Sequence, residues 1–506
     1  MGTGSSQPNL ILIMADQMAA PFISPWGGPA KTPAIDRLAE EGVVFSSTYS
    51  NSPLCAPARF AMMAGRYNSR IGAYDNASEF TSTVPTFAHF LRAAGYQTSL
   101  VGKMHFVGAD QLHGFEERLT TDIYPADFGW TPNWEDPDGR FDWWYHNLDS
   151  VVHAGLAEAT NQLDYDDEVG FRTIRKLRDL ARTTDDRPWF VTASFTHPHD
   201  PYVARQGFWD RYDHDEIPMP TVGPIAEDAE DPHSRRLRHV MMADVTEVTD
   251  NQIRNARHAY FANCSYVDDW VGQVLRTLEL SGMADDTIVI LTADHGDMLG
   301  ERGLWYKMNF FEASTRVPLI VWAPWRFEHR QVTTHTSLLD IAPTLADLGG
   351  AASAEVMEDL DGNSLVRLLD GDEDPDRLIA GEYLGEGAVA PIFLLRAGTL
   401  KYVWSEPDGA QLFDLATDPN ELTNLATDPA QAETVAAFGA EIHRRWSPGR
   451  LRDQVVDNQR SRRMVDSALR QGRFTPWDFQ PSTDATQQYM RNHLDLNEVE
   501  AGRRLG

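Results

Sequence analysis

The fold of this chain is decided by the run Asn9-Leu10-Ile11-Leu12-Ile13-Met14, a strand-like apolar segment that leads into Asp16-Gln17. Short continuous apolar runs predict strands that are buried on both faces of a sheet. Further runs of this kind lie at 97–101, 188–195 and 287–292. Helix-like stretches lie between them, at 33–42, 86–94 and 252–281. The first helix is predicted to have Thr32 as its N-cap and Pro33 at its first position. The alternation predicts an α/β fold with a largely parallel sheet covered by helices.

Polar residues follow each predicted strand. In such folds ligands bind beyond the carboxyl ends of the strands, so these residues are expected to share one crevice. They form two groups. The first, called the acidic group after its two carboxylates, is Asp16, Gln17, Asp294 and His295. The second, the cationic group, is Lys103, His105, His199 and Lys307.

The acidic group predicts a divalent cation. Carboxylates gathered at strand ends repel one another unless a cation lies between them. Gln17 could add a neutral oxygen, and His295 could shift the preference from Ca²⁺ toward Mn²⁺. Taken singly, each residue could instead be a capping or turn residue; the set together favours a metal.

The cationic group suits a tetrahedral oxyanion. Positive charge stabilises developing negative charge, and histidines can move protons. Lys103 and His105 follow one strand, and Lys307 lies in the loop after the Asp294 strand. A single histidine is more often structural, and His197 could be one.

A reactive position is predicted at Cys55. It opens a helix-like stretch in Pro53-Leu54-Cys55-Ala56-Pro57-Ala58-Arg59, in a chain with two cysteines. A helix N-terminus and an arginine one turn later both favour a negative or nucleophilic group there. The alternative is a small buried residue that only packs.

Composition narrows the possible partners and compartment. The 506 residues carry a formal charge of -31, from 75 acidic and 44 basic residues. This charge disfavours nucleic acid and anionic membranes as partners, and no apolar run reaches the roughly 18 residues of a membrane span. Two cysteines and a polar N-terminus without a secretory pattern lead us to expect a cytoplasmic protein.

The chain is expected to have three parts, at 8–375, 376–446 and 447–506. The acidic stretch 370–376 marks the first boundary. Strand signals at 392–397, 400–404 and 412–415 predict a small antiparallel sheet in the second part. The third part is rich in arginine and then carries Trp477-Asp478-Phe479-Gln480-Pro481, which favours docking on another surface, such as another subunit.

Several segments resemble the sulfatase family. Residues 53–65 match its first signature, with Cys55, Pro57 and Arg59 in place, and residues 95–105 are similar to its second. Pro198-His199-x-Pro201 and the segment from Asp294 to Lys307 also match, so the resemblance spans about 8–425. It implies an alkaline-phosphatase-like α/β/α sandwich with a large mixed, mostly parallel sheet. A small C-terminal α+β subdomain and an extended C-terminal tail complete the implied architecture.

The resemblance also implies a mechanism. A maturation enzyme would oxidise Cys55 to formylglycine, whose hydrate attacks sulfur after polarisation by the cation. The implied ion is Ca²⁺, with Mn²⁺ or Mg²⁺ as alternatives. His199 or Lys307 would protonate the leaving alcohol, and His105 would take a proton as sulfate is ejected. Arg59 and Lys103 would hold the nucleophile, and the implied metal ligands are Asp16, Gln17, Cys55, Asp294 and His295.

Two departures place the chain within the family. Many sulfatases have Asp where this chain has Gln17, and Asn where it has His295. The combination resembles the branch that contains choline sulfatases and phosphonate monoester hydrolases. Segments that look like the choline sulfatases are 75–76, 113–116, 124–130, 143–147, 477–481 and 489–493.

The resemblance therefore implies hydrolysis of choline-O-sulfate, a small cationic sulfate ester. Aromatic faces and carboxylates recognise a quaternary ammonium. The expected cage is Trp130, His146 and Glu386, with Glu382 left as an alternative to Glu386.

The remaining substrate contacts are expected from two amides and a second subunit. Asn76 and Asn147 are expected to hold the sulfate. The family implies a homo-oligomer, a dimer or tetramer, in which Asp495 of the tail closes a neighbouring subunit's pocket.

Two rival functions remain. One is a phosphonate monoester or phosphodiester hydrolase of the same branch. The other is a non-catalytic choline-sulfate-binding protein, which predicts loss of Cys55, Asp294, His295 or Lys307, and all four are present.

Overall fold

The computed structural model describes residues 7–140, 146–353, 357–487, 489–490 and 493–505. Its centre is an eight-stranded sheet in which the strand Leu319–Trp322 runs antiparallel to both neighbours and the other pairings are parallel. In spatial order the strands are Arg330–Val332, Val43–Phe45, Leu319–Trp322, Thr287–Ala293, Asn9–Asp16, Trp189–Pro198, Gln97–Gly102 and Glu117–Arg118. The four predicted strands and the mostly parallel sheet are confirmed.

The strand Asn9–Asp16 lies in the middle of this sheet. Ile11 pairs with Val191 on one side and with Val289 on the other. Its apolar side chains from Leu10 to Met14 are at most 1% exposed, because helices cover both faces. Burying each such side chain is worth about 1.5–3 kcal/mol, so the continuous apolar run selects the centre of the sheet rather than an edge.

Helices cover the sheet on both sides. The α-helices are Pro33–Glu41, Cys55–Ala64, Asn68–Ile71, Phe87–Ala93, Asp149–Val152, Asn161–Leu180, Gln206–Trp209, Pro232–Val240, Asp250–Leu280, Glu312–Thr315, Ile341–Leu348, Val366–Leu369, Ala432–Arg445, Pro448–Leu469 and Leu496–Gly502. The predicted helices at 33–42, 86–94 and 252–281 are confirmed.

The first helix is capped differently from the sequence expectation. Thr32 is at the N-cap position, but its side chain makes no capping hydrogen bond there. Instead the carboxylate of Asp268, on the helix Asp250–Leu280, accepts from the backbone N–H groups of Ala34 and Ile35 at 3.1 and 2.8 Å. A carboxylate at a helix N-terminus satisfies the free N–H groups and opposes the helix dipole.

A second sheet is built from the C-terminal part of the chain. It has four antiparallel strands, and the first of them was not anticipated from the sequence. These strands are Ile379–Tyr383, Ile392–Ala397, Leu400–Ser405 and Gly409–Asp414. A smaller sheet contains the three strands Arg316–Val317, Thr48–Tyr49 and Thr336–Ser337. In another, Gly155–Leu156 pairs with Val203–Ala204.

The C-terminal tail begins with the helix Pro448–Leu469, which packs on its own chain. Gln459 and Arg462 of this helix are 1% and 5% exposed. Further along, the guanidinium of Arg503 lies 3.4 Å from the Asp179 carboxylate on the helix Asn161–Leu180. The boundaries 8–375, 376–446 and 447–506 stay predictions. None of the helices in the described ranges is long and apolar enough to cross a membrane.

Candidate active site

The strand ends bring four potential ligand groups together. Asp16 ends one central strand, and Asp294 and His295 follow its neighbour Thr287–Ala293. Ligand atoms of these three residues and Cys55 all lie within 4.8 Å of one another, and all four side chains are buried. Cys55 Sγ is 3.2 Å from His295 Nε2 and 3.7 Å from Asp16 Oδ1.

Cys55 is the first residue of the helix Cys55–Ala64, which is called the nucleophile helix because Cys55 is its predicted nucleophile. Pro57 fits in the first turn because the first backbone N–H groups of a helix have no partner within it. One of these groups, the N–H of Ala56, donates to Asn76 Oδ1 at 3.0 Å. Asn76 therefore lies at the helix N-terminus beside Cys55. Burial and the Asp16 carboxylate raise the pKa of the Cys55 thiol to about 12, so its surroundings keep the thiol protonated.

Arg59 lies one turn after Cys55 and holds both carboxylates. Its Nη2 is 2.9 Å from Asp16 Oδ2 and its Nε is 2.8 Å from Asp294 Oδ2. Lys103 Nζ lies 2.6 Å from the same Asp16 oxygen. Buried charges persist only when they are paired in this way.

The pKa values of the two carboxyl groups, Asp16 and Asp294, shift in opposite directions. Burial favours the neutral acid, but Lys103, His199 and Arg59 hold the pKa of Asp16 well below its usual range. Burial raises the pKa of Asp294 to about 6, against the opposing effect of Arg59.

The cluster fits a divalent cation. It offers carboxylate oxygens, an imidazole nitrogen and the Cys55 sulfur; the predicted formylglycine would offer an oxygen in place of that sulfur. Oxygen-rich sites of this type suit Ca²⁺ or Mg²⁺, and one imidazole also permits Mn²⁺. A cation there would offset the repulsion between Asp16 and Asp294.

Lys307 belongs to a hydrogen-bond chain next to the cluster. Its Nζ lies 2.6 Å from Gln17 Oε1 and 2.9 Å from His199 Nε2. His199 Nδ1 donates to the Asp200 carbonyl at 2.6 Å, so its Nε2 is left to accept from Lys307. Gln17 Nε2 donates to Asp297 Oδ2 at 2.8 Å. Both ends of the Gln17 amide thus have protein partners, and its role as a metal ligand stays a prediction.

The loop that carries Lys307 is held in an unusual backbone conformation. Tyr306 and Met308, on either side of Lys307, have φ values of 63° and 75°. Residues other than glycine rarely adopt such positive values. Asp297 Oδ1 accepts from the Tyr306 N–H at 3.0 Å, and His233 Nε2 donates to the Met308 carbonyl at 2.7 Å. These contacts hold the loop so that the ammonium group meets His199.

His105 is a buried histidine beside Lys103. It is 1% exposed, and neither ring nitrogen has a hydrogen-bond partner in the part of the chain that the structure describes. Burial and Lys103 lower the pKa of His105 to about 3, so the ring is neutral at physiological pH.

An aromatic wall lies against these histidines; it consists of Tyr124, Trp130, His146 and Tyr306. The ring centroids of Trp130 and Tyr124 are 5.8 and 4.9 Å from that of His105. His146 lies 5.2 Å from His199 and 5.0 Å from Tyr306. The structure therefore brings Trp130 and His146 to the site, whereas residues 141–145 are outside the described part.

The two candidate carboxylates of the ammonium site have different surroundings. Glu386 lies beside Asp75 and Asn76, and burial together with Asp75 raises its pKa to about 8. Glu382 Oε1 accepts from the Ser69 N–H at 2.5 Å, on another turn of the chain. Of the two, Glu386 is thus the carboxyl group next to Asn76.

Two other predicted residues make local contacts. Asn147 Oδ1 accepts from the Asp149 N–H at 2.9 Å. Asp495 is exposed and caps the helix Leu496–Gly502 by accepting from Asn497 and Glu498. Their roles as sulfate and ammonium contacts stay predictions.

Comparison with known proteins assigns the family. The sulfatase family model matches residues 8–351. The chain belongs to the sulfatase family. Models described as choline sulfatase enzyme C terminal and as N-sulphoglucosamine sulphohydrolase, C-terminal, match residues 453–505 and 300–446 of this sulfatase.

Individual relatives agree with this assignment. The choline-sulfatase of Rhizobium meliloti (strain 1021) is 50% identical, over 100% of this sulfatase and 99% of its own length. Arylsulfatase K of Gallus gallus is 27% identical, over 83% of this chain and 79% of its own. The predicted enzyme class, a sulfatase, is confirmed.

Solved structures support the fold. The phosphonate monoester hydrolase from Silicibacter pomeroyi has a TM-score of 0.70 and 25% identity, and covers 87% of this sulfatase and 95% of its own chain. A 2-O GAG sulfatase has a TM-score of 0.70 at 23% identity, over 88% and 96% of the two chains. The predicted alkaline-phosphatase-like fold is confirmed.

Sequence reasoning missed several residues that shape the site of this sulfatase. Asp297 follows Asp294-His295-Gly296 directly and could have been found as one more polar residue at the same strand end. Tyr124 was visible only as part of an aromatic segment. His233 and Arg462 gave no signal, because each acts through a contact distant in sequence from the motifs.

Proposed function

We propose that this sulfatase hydrolyses choline-O-sulfate to choline and sulfate, with a formylglycine hydrate derived from Cys55 as nucleophile. The observation that carries the proposal is the aromatic wall next to His105 and His199. A sulfate group near Cys55 would place a cationic alcohol portion against these rings, whose faces attract quaternary ammonium groups. The resemblance to a choline-sulfatase over the whole chain supports the same substrate.

The protein groups have separate tasks in this proposal. When bound, a cation at Asp16, Asp294 and His295 would polarise the nucleophile, and the converted Cys55 would supply a hydroxyl for attack on sulfur. Ca²⁺ is the proposed ion, with Mn²⁺ or Mg²⁺ as alternatives.

The neighbouring side chains stabilise charge and transfer protons. Arg59 and Lys103 hold the negative charge. Lys307 Nζ lies 2.9 Å from His199 Nε2, and one of these two groups protonates the leaving alcohol. His105, with its neutral ring, accepts the proton released during expulsion of sulfate.

The remaining parts of the proposal concern binding and assembly. Trp130, His146 and Glu386 form the cage, and Asn76 and Asn147 contact the sulfate. The tail of a second subunit supplies Asp495 in a dimer or tetramer. The protein would be cytoplasmic, in line with two free cysteines, and would need a maturation enzyme that oxidises Cys55.

Two measurements on purified protein test the proposal. The specificity constant for choline-O-sulfate should exceed that for aryl sulfates; much faster turnover of aryl sulfates would contradict the substrate assignment. Mass spectrometry of the peptide containing Cys55 should show an aldehyde in place of the thiol in the active fraction. A fully active preparation that contains only the thiol would contradict the nucleophile assignment.

A phosphonate monoester hydrolase is the second candidate. The structural similarity to the Silicibacter pomeroyi enzyme favours it. It predicts a higher specificity constant for a phosphonate monoester than for choline-O-sulfate, measured under identical conditions.

A further inference from the structure

The helix Pro448–Leu469 bonds to the turns that carry Asn76 and Trp130 through one buried guanidinium. Arg462 Nη1 and Nη2 donate to the two carboxylate oxygens of Asp75 at 2.7 and 2.5 Å. Arg462 is 5% exposed and Asp75 is fully buried. Bidentate pairing of this kind fixes the geometry of both groups as well as compensating their charges.

One side of this ion pair leads to the nucleophile. Asp75 Oδ1 also accepts from the Ala77 N–H at 3.0 Å and from Ser78 Oγ at 3.2 Å. These bonds fix the turn that presents Asn76, whose Oδ1 meets the Ala56 N–H beside Cys55. Arg462 is therefore two contacts away from the N-terminus of the nucleophile helix.

The same guanidinium also bonds to the segment that carries Trp130. Arg462 Nη1 donates to Thr131 Oγ1 at 3.1 Å. The Thr131 N–H and hydroxyl both donate to the Phe128 carbonyl, at 3.1 and 2.7 Å, and so close a turn that contains Trp130. Gln459, one helical turn earlier, accepts from the Trp134 N–H at 2.9 Å. Two successive turns of the helix Pro448–Leu469 thus hold the loop 128–134.

We infer that Arg462 is a positioning residue that sets the selectivity of the enzyme for a cationic sulfate ester. Its single rigid group joins the turn of Asn76 to the turn of Trp130, and so fixes the distance between the sulfate end and the ammonium end of the pocket. A short substrate must satisfy both ends at once, and small displacements of a binding group weaken such contacts strongly. The inference rests on the proposed function, since it assumes that the cationic end of the substrate meets Trp130.

The test compares kcat and KM for choline-O-sulfate and for an aryl sulfate in three variants. Arg462→Lys keeps the charge but loses the bidentate geometry, and should raise KM for choline-O-sulfate about tenfold. Thr131→Val is nearly isosteric and removes the link to the loop, so KM should rise about threefold. In Thr131→Val, which leaves the Asp75 pair and the Asn76 turn intact, KM for the aryl sulfate should stay within about twofold, because that substrate places no cation against Trp130. In Arg462→Lys, KM for the aryl sulfate should rise less than KM for choline-O-sulfate, because the two substrates share only the sulfate end.

Arg460→Ala is the matched control on the same helix. Arg460 makes a bidentate pair with Glu135 at 2.7 and 2.5 Å, but this pair is exposed. Its removal should leave both KM values within about twofold.

Each outcome decides the question. Equal changes for the two substrates, or none, in Arg462→Lys and Thr131→Val would overturn the inference. If Arg462→Lys does not fold, Thr131→Val decides, since it keeps the buried ion pair intact. A wild-type preference for aryl sulfates would instead refute the proposed substrate, and a wild-type preference for choline-O-sulfate that both variants retain undiminished would refute only the role of Arg462.

Discussion

The buried centre at the strand ends and the aromatic wall beside it are held in different ways. In the centre, Asp16, Arg59 and Asp294 are fully buried and bond directly to one another. In the wall, the half-buried Trp130 is held through Thr131 by an arginine more than 300 residues away in the chain. Both regions thus depend on contacts between distant segments, but the centre joins its charged groups directly, whereas Trp130 is held through the intermediate residue Thr131.

The two regions also differ in charge. In the centre, Arg59 and Lys103 bond directly to the carboxylates of Asp16 and Asp294. Near Asn76, Arg462 pairs with Asp75, and Glu386 has no cationic hydrogen-bond partner in the described residues. In the proposed function, a bound ammonium group would favour the negative form of Glu386.

Loss of the nucleophile should break the centre without touching the wall. Cys55→Ala is expected to lower kcat by about 10⁴-fold or more for every ester, because no nucleophile remains. Affinity for choline-O-sulfate, measured by calorimetry, should change little. Cys264→Ala is the control, since Cys264 is equally buried but lies on the helix Asp250–Leu280. Full turnover by Cys55→Ala would contradict the assignment.

Loss of the aromatic face should break the wall and spare the centre. Trp130→Ala is expected to raise KM for choline-O-sulfate about tenfold, from loss of a cation–π contact of about 1–2 kcal/mol. KM for an aryl sulfate should change much less. Trp130→Phe keeps an aromatic face and should recover part of the affinity. Equal effects on the two substrates would refute the cage.

A smaller effect should appear in the pH dependence of binding. The pKa of Glu386 is raised to about 8 by burial and Asp75, so the side chain is neutral below that pH and negative above it. An ammonium ligand binds the negative form better, so KM for choline-O-sulfate should fall about fivefold from pH 6 to pH 9, or about 1 kcal/mol. In Glu386→Gln this dependence should disappear. A dependence that persists unchanged would assign the titration to another group.

Much of the centre was predictable because its residues lie next to strong local signals. Asp16, Lys103 and Asp294 directly follow apolar runs whose strand character is clear from the sequence, and parallel strands place their ends on one edge. Cys55 and Arg59 are one helical turn apart, so their relation is also local. Gln17 shows the limit: its position was predicted, but its amide bonds to Lys307 and Asp297 depend on the loop after the strand.

The sequence by itself determined four adjacent central strands of the sheet, the helix Cys55–Ala64 and the edge where the polar groups gather, because hydrophobic periodicity and helix signals act over a few residues. Only the tertiary structure decided that Asp268 caps the first helix, that His233 holds the Lys307 loop, and that Arg462 ties the C-terminal helix to Asp75. Each of these contacts joins distant segments whose local sequences carry no mutual signal. The physical reason is that a buried polar group must find a partner, and which partner it meets is settled by the packing of the whole chain.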